Sequence, residues 1–219
     1  LGLISPLESR GGIYVEYFAE FAEKHLDMST FLDFLKPIRE KIYGIKINHP
    51  LLSHISDYKK EGYKIFVDLK LHDIPNTVET IIEWLVKQDI DMTTVHYENG
   101  EECLERISAY SKDIDLLLVS HLTSLKSDTI KQKEIYKQIT YNGNYPYSCY
   151  NLILSPKDLK LFNEYDPHRR FKRYCPGIRL KDTDDDQVRV STPEYATENG
   201  ADYLIIGRPL KENPIECFL

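Results

Sequence analysis

Short apolar segments alternate with segments of helical periodicity along almost the whole chain, and this alternation limits the fold more than any other feature. Most of the short segments are continuously apolar, as strands covered on both faces of a parallel sheet are. Seven such strands are predicted, at Tyr43–Ile47, Lys64–Leu69, Met92–His96, Leu116–Ser120, Leu152–Ser155, Arg173–Cys175 and Tyr203–Ile206. The alternation predicts a parallel sheet, either closed as a barrel or open and doubly wound.

A weaker strand candidate, His25–Met28, precedes the other seven. Counting it gives eight strands, which favours an α/β fold of the TIM (β/α)8 barrel type. No linker divides the sequence, so residues 1–219 are predicted to form a single domain. Residues 1–24 are predicted to be an N-terminal helical extension, because the segment from Gly12 to Glu23 is more typical of a helix than of a strand.

Three of the intervening segments carry helix signals. In Thr77–Gln88 the apolar side chains recur at helical spacing and predict one buried stripe, formed by Val78, Ile81, Ile82 and Leu85. Thr192 is a suitable N-cap before Pro193, and Gly200 is placed to end the helix that follows. A short helix is also predicted at Leu51–Lys60.

Composition excludes several classes of protein. The net charge of −7 disfavours a nucleic-acid partner, and no apolar run approaches the ~18 residues of a membrane span. The N-terminus shows no pattern of a signal peptide. The cysteines are scattered without a C-x-x-C pair, which predicts reduced thiols and a cytoplasmic protein rather than a disulfide framework or a structural zinc site. They are Cys103, Cys149, Cys175 and Cys217.

The third predicted strand carries the most informative charges. Side chains alternate along a strand, so Phe66, Asp68 and Lys70 share one face. In a barrel this places a carboxylate beside an ammonium group at the C-terminal rim, where barrel enzymes carry out catalysis, and Asp73 follows in the next loop. Taken alone, the pair could equally be a structural ion pair that closes the barrel mouth.

The stretch from Asp68 to Thr77 reads D-x-K-x-x-D-I-P-N-T and resembles the signature of the orotidylate decarboxylase family. Other motifs of that family recur in order. Gly44-Ile45-Lys46-Ile47 resembles its second strand, His121-Leu122-Thr123-Ser124 its L-T-S element, and Cys175-Pro176-Gly177-Ile178-Arg179 its P-G-I-R element. Asp185-Asp186-Gln187-Val188-Arg189 is similar to its D-Q-x-R loop, and Ile206-Gly207-Arg208-Pro209 to its G-R-P element.

The resemblance implies a decarboxylase that converts orotidine 5′-monophosphate to uridine 5′-monophosphate without a metal or a cofactor. The array of the family corresponds to Lys46, Asp68, Lys70 and Asp73, with Lys70 protonating C6 of the pyrimidine. It also implies a homodimer in which Asp73 and Thr77 reach the neighbouring subunit's site. The remaining substrate-binding residues would be Asp27, Ile74, Thr123, Ser124, Pro176, Arg179, Gln187, Gly207 and Arg208.

Some positions depart from the family pattern. Of its apolar first strand ending in Leu-Asp, only Leu26-Asp27 is present, and the segment between Lys46 and Asp68 is short. Two other functions stay open at this point. One is a magnesium-dependent sugar-phosphate decarboxylase or aldolase of the 3-keto-gulonate 6-phosphate type, which shares the D-x-K-x-x-D array. The other is a non-catalytic nucleotide-binding barrel.

Overall fold

Eight parallel strands pair in chain order, and the first pairs with the last to close a barrel. The computed structural model describes residues 16–21, 33, 35–121, 129–141, 150–179, 191–207 and 209. The strands are β1 (Glu16–Phe21), β2 (Gly44–Ile47), β3 (Lys64–Leu71), β4 (Met92–His96), β5 (Asp115–Val119), β6 (Asn151–Ile153), β7 (Arg173–Cys175) and β8 (Tyr203–Ile206). The predicted TIM barrel is therefore confirmed, and the seven strands predicted from β2 to β8 begin and end within two residues of the predicted bounds.

The first strand does not lie where the sequence predicts it. Glu16–Phe21 pairs with Gly44–Ile47 on one side and with the whole of β8 on the other, so the predicted N-terminal helix is wrong over these six residues. Closure supplies the physical reason, because a missing strand would leave two sheet edges with unpaired backbone groups. The run is also rich in aromatic residues, which favour strands. The predicted strand His25–Met28 and the rest of the predicted extension lie outside the described residues.

The described helices follow the strands on the outside of the barrel. The α-helices are α1 (Ile55–Lys60), α2 (Pro75–Lys87), α3 (Gly100–Ser108), α4 (Thr129–Thr140), α5 (Leu159–Tyr165) and α6 (Pro193–Glu198). The 3-10 helices are Lys36–Lys41, His49–His54, Tyr97–Asn99 and Pro156–Asp158. None of the described helices is long and apolar enough to cross a membrane.

Two of the predicted helix signals operate as expected. Helix α2 begins at Pro75, whose fixed φ suits a first helical position, and buries Val78, Ile82 and Leu85 against the barrel. Ile81, the fourth residue of the predicted stripe, is only half-buried. Helix α6 is capped by Thr192, whose hydroxyl accepts a hydrogen bond from the backbone N–H of Tyr195. The predicted helix Leu51–Lys60 is α-helical only from Ile55, after a 3-10 turn.

Buried side chains form two layers that position the site. Inside the barrel pack Phe66, Met92, Leu117, Val119, Ile153, Tyr174, Tyr203 and Ile205. A larger apolar layer, which includes Val67 and Leu71, lies between the strands and the helices. The interior is thus filled with side chains rather than open. The two described cysteines, Cys103 and Cys175, are buried free thiols, as predicted.

Candidate active site

Two lysines contact one buried carboxylate at the C-terminal rim of β2 and β3. Lys46 Nζ lies 2.6 Å and Lys70 Nζ 2.7 Å from Oδ2 of Asp68. The side chains of Lys46 and Asp68 are each only 8% exposed, whereas that of Lys70 is 46% exposed. The site therefore presents the accessible ammonium group of Lys70, which is held in place by the buried ion pair of Asp68 and Lys46.

Asp68 is held in its ionised form. Burial alone would raise the pKa of its carboxyl group, but the ammonium groups of Lys46 and Lys70 outweigh burial and hold that pKa well below its usual range. Three charges at one site leave a net positive charge facing the barrel mouth. The arrangement can attract an anion and offer it a proton from Lys70.

An irregularity in β3 brings Lys70 into this position. Val67 pairs with Thr93 and Leu71 with Val95, so a four-residue step on β3 faces a two-residue step on β4. Within this bulge Lys70 has a φ of +49°, a left-handed conformation that costs a non-glycine residue about 1–3 kcal/mol. Bulges of this kind redirect side chains near functional sites, and this one lets Lys70 turn toward Asp68.

Thr94 joins the site from β4 and was not among the predicted residues. Its hydroxyl donates a 2.8 Å hydrogen bond to Oδ1 of Asp68 and accepts one of 2.8 Å from the backbone N–H of Lys70. The sequence contained part of the signal, because Met92, Thr94 and His96 alternate toward the interior of a predicted strand. The bulge in β3, which sets the register between the two strands, could not be read from the residues.

The loop between β3 and α2 carries the exposed part of the D-x-K-x-x-D-I-P-N-T motif. Asp73 is exposed, and its Oδ1 accepts a hydrogen bond from the backbone N–H of Ile74, which is itself 66% exposed. Asn99, a second residue that sequence reasoning missed, accepts from the backbone N–H of Asp73 and donates to the carbonyl groups of Leu71 and His96. It fastens this loop to the end of β4. Thr77 is half-buried in the first turn of α2.

The motifs after β7 and β8 lie at the same rim. Pro176 is half-buried, and Gly177 has a φ of +77°, a conformation that favours glycine. Arg179 is buried, its Nη1 donates to the carbonyl of Ile178, and its backbone N–H donates to Ser191. Gly207 follows β8 and is buried. The predicted residues Asp27, Thr123, Ser124, Gln187 and Arg208 lie outside the described residues.

A group with metal-ligand chemistry also lies at this rim, although no such cluster was predicted. One donor atom each of His72, His96 and Glu98 lies within 4.8 Å of the other two. The two imidazole rings are stacked, with centroids 5.2 Å apart. These residues are separated by up to 26 positions in the sequence, and only the pairing of β3 with β4 brings them together.

Comparison with known proteins agrees with the geometry. Residues 25–214 match the model of the orotidine 5'-phosphate decarboxylase / HUMPS family. The orotidine 5'-phosphate decarboxylase of Staphylococcus saprophyticus is 36% identical over 210 residues, which cover 87% of this chain and 89% of that protein. That of Staphylococcus haemolyticus is 33% identical over 214 residues, covering 90% and 91%.

A solved structure shares the whole architecture. The crystal structure of orotidine 5'-phosphate decarboxylase from Lactobacillus acidophilus superposes with a TM-score of 0.70 at 25% identity, covering 93% of this chain and 96% of that one. The family match includes β2 to β8 and every residue of the lysine–aspartate site. On these grounds the chain belongs to the orotidine 5'-phosphate decarboxylase / HUMPS family.

Proposed function

We propose that this protein is a carboxy-lyase that converts orotidine 5′-monophosphate to uridine 5′-monophosphate and carbon dioxide in pyrimidine biosynthesis. The observation that carries the proposal is the contact of Lys46 and Lys70 with one oxygen of Asp68, at 2.6 and 2.7 Å. The family match and the named relatives support the same reaction.

In the proposed reaction the bond between C6 of the pyrimidine and its carboxylate breaks, and the electron pair stays on C6. Carbon dioxide leaves, and the ammonium group of Lys70 stabilises the developing negative charge and then delivers a proton to C6. Water returns a proton to the lysine. Each turnover therefore consumes one proton, which comes from solvent by way of Lys70, and the chemistry needs neither a metal nor a cofactor.

Asp68 and Lys46 act on the reacting end through position and charge. Asp68 holds the Lys70 ammonium group at 2.7 Å, and its buried negative charge repels the carboxylate of the substrate, which loses that charge on leaving as carbon dioxide. Lys46 balances the negative charge of Asp68 and supplies a hydrogen-bond donor for a ribose hydroxyl. The deep burial of Lys46 and Asp68 keeps both groups fixed, so little reorganisation is needed during the reaction.

The rest of the substrate is assigned to the other loops of the same rim. We assign the phosphate to Arg179, Gln187, Gly207 and Arg208 with Pro176 beside them, the pyrimidine to Thr123 and Ser124, and the ribose to Asp27. Phosphate sites of barrel enzymes form after the seventh and eighth strands, where backbone N–H groups meet a helix N-terminus. Phosphate binding far from C6 would then raise the rate at C6.

We also propose that the protein is a homodimer whose subunits share residues at each active site, and that it is located in the cytoplasm. Asp73 and Ile74 are exposed at the rim, and Ile74 is one of the few large apolar side chains exposed among the described residues. A partner subunit would cover this apolar side chain and receive Asp73, Ile74 and Thr77 at its own site. The buried free thiols of Cys103 and Cys175 suit the reducing cytoplasm.

The test is the ultraviolet absorbance of orotidine 5′-monophosphate incubated with the purified protein and excess EDTA. We expect decay to the spectrum of uridine 5′-monophosphate, at a rate that EDTA does not change. A folded protein that leaves the spectrum unchanged would refute the proposal. Turnover of 3-keto-gulonate 6-phosphate with magnesium would instead support the sugar-phosphate enzyme.

A further inference from the structure

We propose that His72, His96 and Glu98 bind one divalent transition-metal ion, with Zn²⁺ as the best-suited ion, at the rim of the barrel between β3 and β4. The ion has no part in the proposed decarboxylation. It would occupy a separate position next to the β3–α2 loop, which carries Asp73.

The fold brings the three residues together from neighbouring strand ends. His72 is the first residue after β3, His96 is the last residue of β4, and Glu98 lies in the 3-10 turn that follows. The imidazole rings stack with an interplanar angle of 25°, and one donor atom of each residue lies within 4.8 Å of the others. Ligands from adjacent parallel strands share a rigid base, because the backbones are hydrogen-bonded to each other.

The donor set selects the class of metal. Two imidazole nitrogens and one carboxylate oxygen suit Zn²⁺ and related ions, whereas Mg²⁺ and Ca²⁺ prefer oxygen ligands. Three protein ligands would leave a further coordination position for water. Zinc bonds of about 2.0–2.2 Å place donor atoms about 3.3–3.6 Å apart, so binding requires these atoms, now within 4.8 Å of one another, to approach by up to about 1.5 Å through side-chain rotation.

The surroundings leave the position accessible. The side chain of His72 is exposed, so an ion can enter from solvent. Glu98 is held by Lys131 of α4, with 2.9 Å between Lys131 Nζ and the carboxylate. This ion pair is half-exposed, with 59% and 50% of the two side chains open to solvent, so a dication can compete for the carboxylate.

An occupied site would interfere with catalysis. His72 lies two residues after Lys70 and directly before Asp73, so a metal that draws His72 toward His96 would move the β3–α2 loop. It would also place a double positive charge near the ammonium group that must stabilise charge at C6. This consequence rests on the proposed function, whereas metal binding itself does not.

Calorimetric titration of the metal-free protein with ZnCl₂ tests the site directly. We expect the wild-type protein to bind one Zn²⁺ per chain at these residues, and His72→Ala and Glu98→Gln to weaken that binding about tenfold or more. The control is His168→Ala, an exposed histidine in the loop between α5 and β7, which should bind as the wild type does. Wild-type affinity in both ligand variants would overturn the site, and so would the absence of binding to the wild type.

Activity measurements separate the two proposals. Saturating Zn²⁺ should slow the wild type and His168→Ala by about tenfold or more, with His72→Ala slowed far less relative to its own metal-free rate. Equal slowing of all three proteins would overturn the inference that an ion bound through His72 slows the reaction by way of the β3–α2 loop. A protein that binds Zn²⁺ through these residues but never decarboxylates the nucleotide would refute the proposed function and leave the metal site standing.

Discussion

Thr94 donates a 2.8 Å hydrogen bond from its hydroxyl to Oδ1 of Asp68, the carboxylate oxygen opposite the one that the two lysines contact. The same hydroxyl accepts from the backbone N–H of Lys70. One side chain on β4 therefore fixes both the rotation of the central carboxylate and the bulged backbone of β3. Thr94 acts through Asp68 and Lys70 and is a positioning residue.

Replacing Thr94 with valine removes the hydroxyl and leaves a side chain of similar shape. We expect kcat for orotidine 5′-monophosphate to fall about 10- to 100-fold, because a hydrogen bond to a charged group contributes about 1.5–3 kcal/mol. KM should change less, since the residues proposed to bind the phosphate and the ribose are unchanged. Steady-state kinetics measure both constants, and Thr94→Ser should restore most of kcat.

The matched control is Thr93→Val on the same strand. Thr93 is equally buried, at 0% exposure against 1% for Thr94, but its hydroxyl donates to the carbonyl of Val67. This change should lower stability while leaving kcat near the wild-type value. Equal losses of kcat in the two variants would mean that burial of a threonine, rather than its contact with Asp68, is what matters.

Lys70→Ala should abolish turnover while leaving nucleotide binding measurable. The variant loses the proposed proton donor and the charge that we place beside C6, so we expect kcat to fall by at least about three orders of magnitude. Binding of uridine 5′-monophosphate, measured by calorimetry, should persist. Lys64→Ala is the control, because Lys64 lies at the other end of β3, where its half-exposed side chain forms an ion pair with Asp91. Near-normal turnover by Lys70→Ala would exclude Lys70 as the proton donor.

Asp68 should also affect how stability depends on pH. Its pKa is lower in the folded protein than in the unfolded chain, where it is about 3.9, so its contribution is complete above that value and is lost as pH falls toward the folded pKa. Between pH 5 and pH 3, the unfolded chain takes up a proton that the native site does not.

Asp68→Asn should remove this contribution. The free energy of unfolding of the variant should therefore fall by about 1 kcal/mol less than that of the wild type between pH 5 and pH 3. Urea denaturation at several pH values measures the difference. Asp113→Asn, at an exposed aspartate before β5, should follow the wild-type slope. Parallel curves for the wild type and Asp68→Asn would show that the carboxylate has an ordinary pKa.

Much of the fold follows from the residues alone. The strands from β2 to β8 are readable because parallel strands buried on both faces are continuously apolar, and α2 because its buried stripe recurs at helical spacing. The first strand could not be located in the same way. The segment Glu16–Phe21 mixes acidic and aromatic residues, and only the need to close the barrel between β8 and β2 distinguishes a strand from a helix there.

The contacts of the site likewise divide into those that the sequence predicts and those that only the fold reveals. The contact between Lys46 and Asp68 follows from strand alternation and from the order of β2 and β3 in the barrel, whereas the approach of Lys70 to Asp68 also depends on the bulge in β3. The roles of Thr94 and Asn99 depend on the bulge in β3 and on the path of a loop, which no local pattern encodes. The proximity of His72 to His96 likewise needs the pairing of two strands.

A buried ion pair far from the site should control stability. Arg173 Nη2 lies 3.1 Å from Oδ2 of Asp166, and both side chains are fully buried. Among the described residues Arg173 Nε and Nη1 have no hydrogen-bond partner, and burial lowers the pKa of the guanidinium group. Asp166→Asn should therefore destabilise the protein by about 3 kcal/mol, since it leaves a buried charge uncompensated.

Chemical denaturation of a second variant separates charge from packing. The double variant Asp166→Asn with Arg173→Met should recover most of the lost stability, because an apolar side chain of similar length needs no counter-charge. Asp57→Asn breaks an exposed pair with Lys60 and should cost less than about 1 kcal/mol. A double variant no more stable than Asp166→Asn would assign the effect to the hydrogen bonds that Asp166 accepts from Arg170 and Phe171.

Mixing two inactive variants tests the shared site of the proposed homodimer. Lys70→Ala and Asp73→Ala subunits, each inactive alone, should form heterodimers in which one site draws Lys70 from one chain and Asp73 from the other. Random exchange makes half of the dimers mixed, and each has one intact site, so about one quarter of the wild-type rate should return.

The control for this experiment follows from the distances within one chain. Lys70 and Asp68 are 2.7 Å apart in the same subunit, so mixing Lys70→Ala with Asp68→Asn leaves every site defective. That mixture should stay inactive under the conditions in which the first recovers. If subunit exchange is verified and neither mixture recovers, Asp73 serves the site of its own chain. The exposure of Asp73 and Ile74 at the rim would then need another explanation.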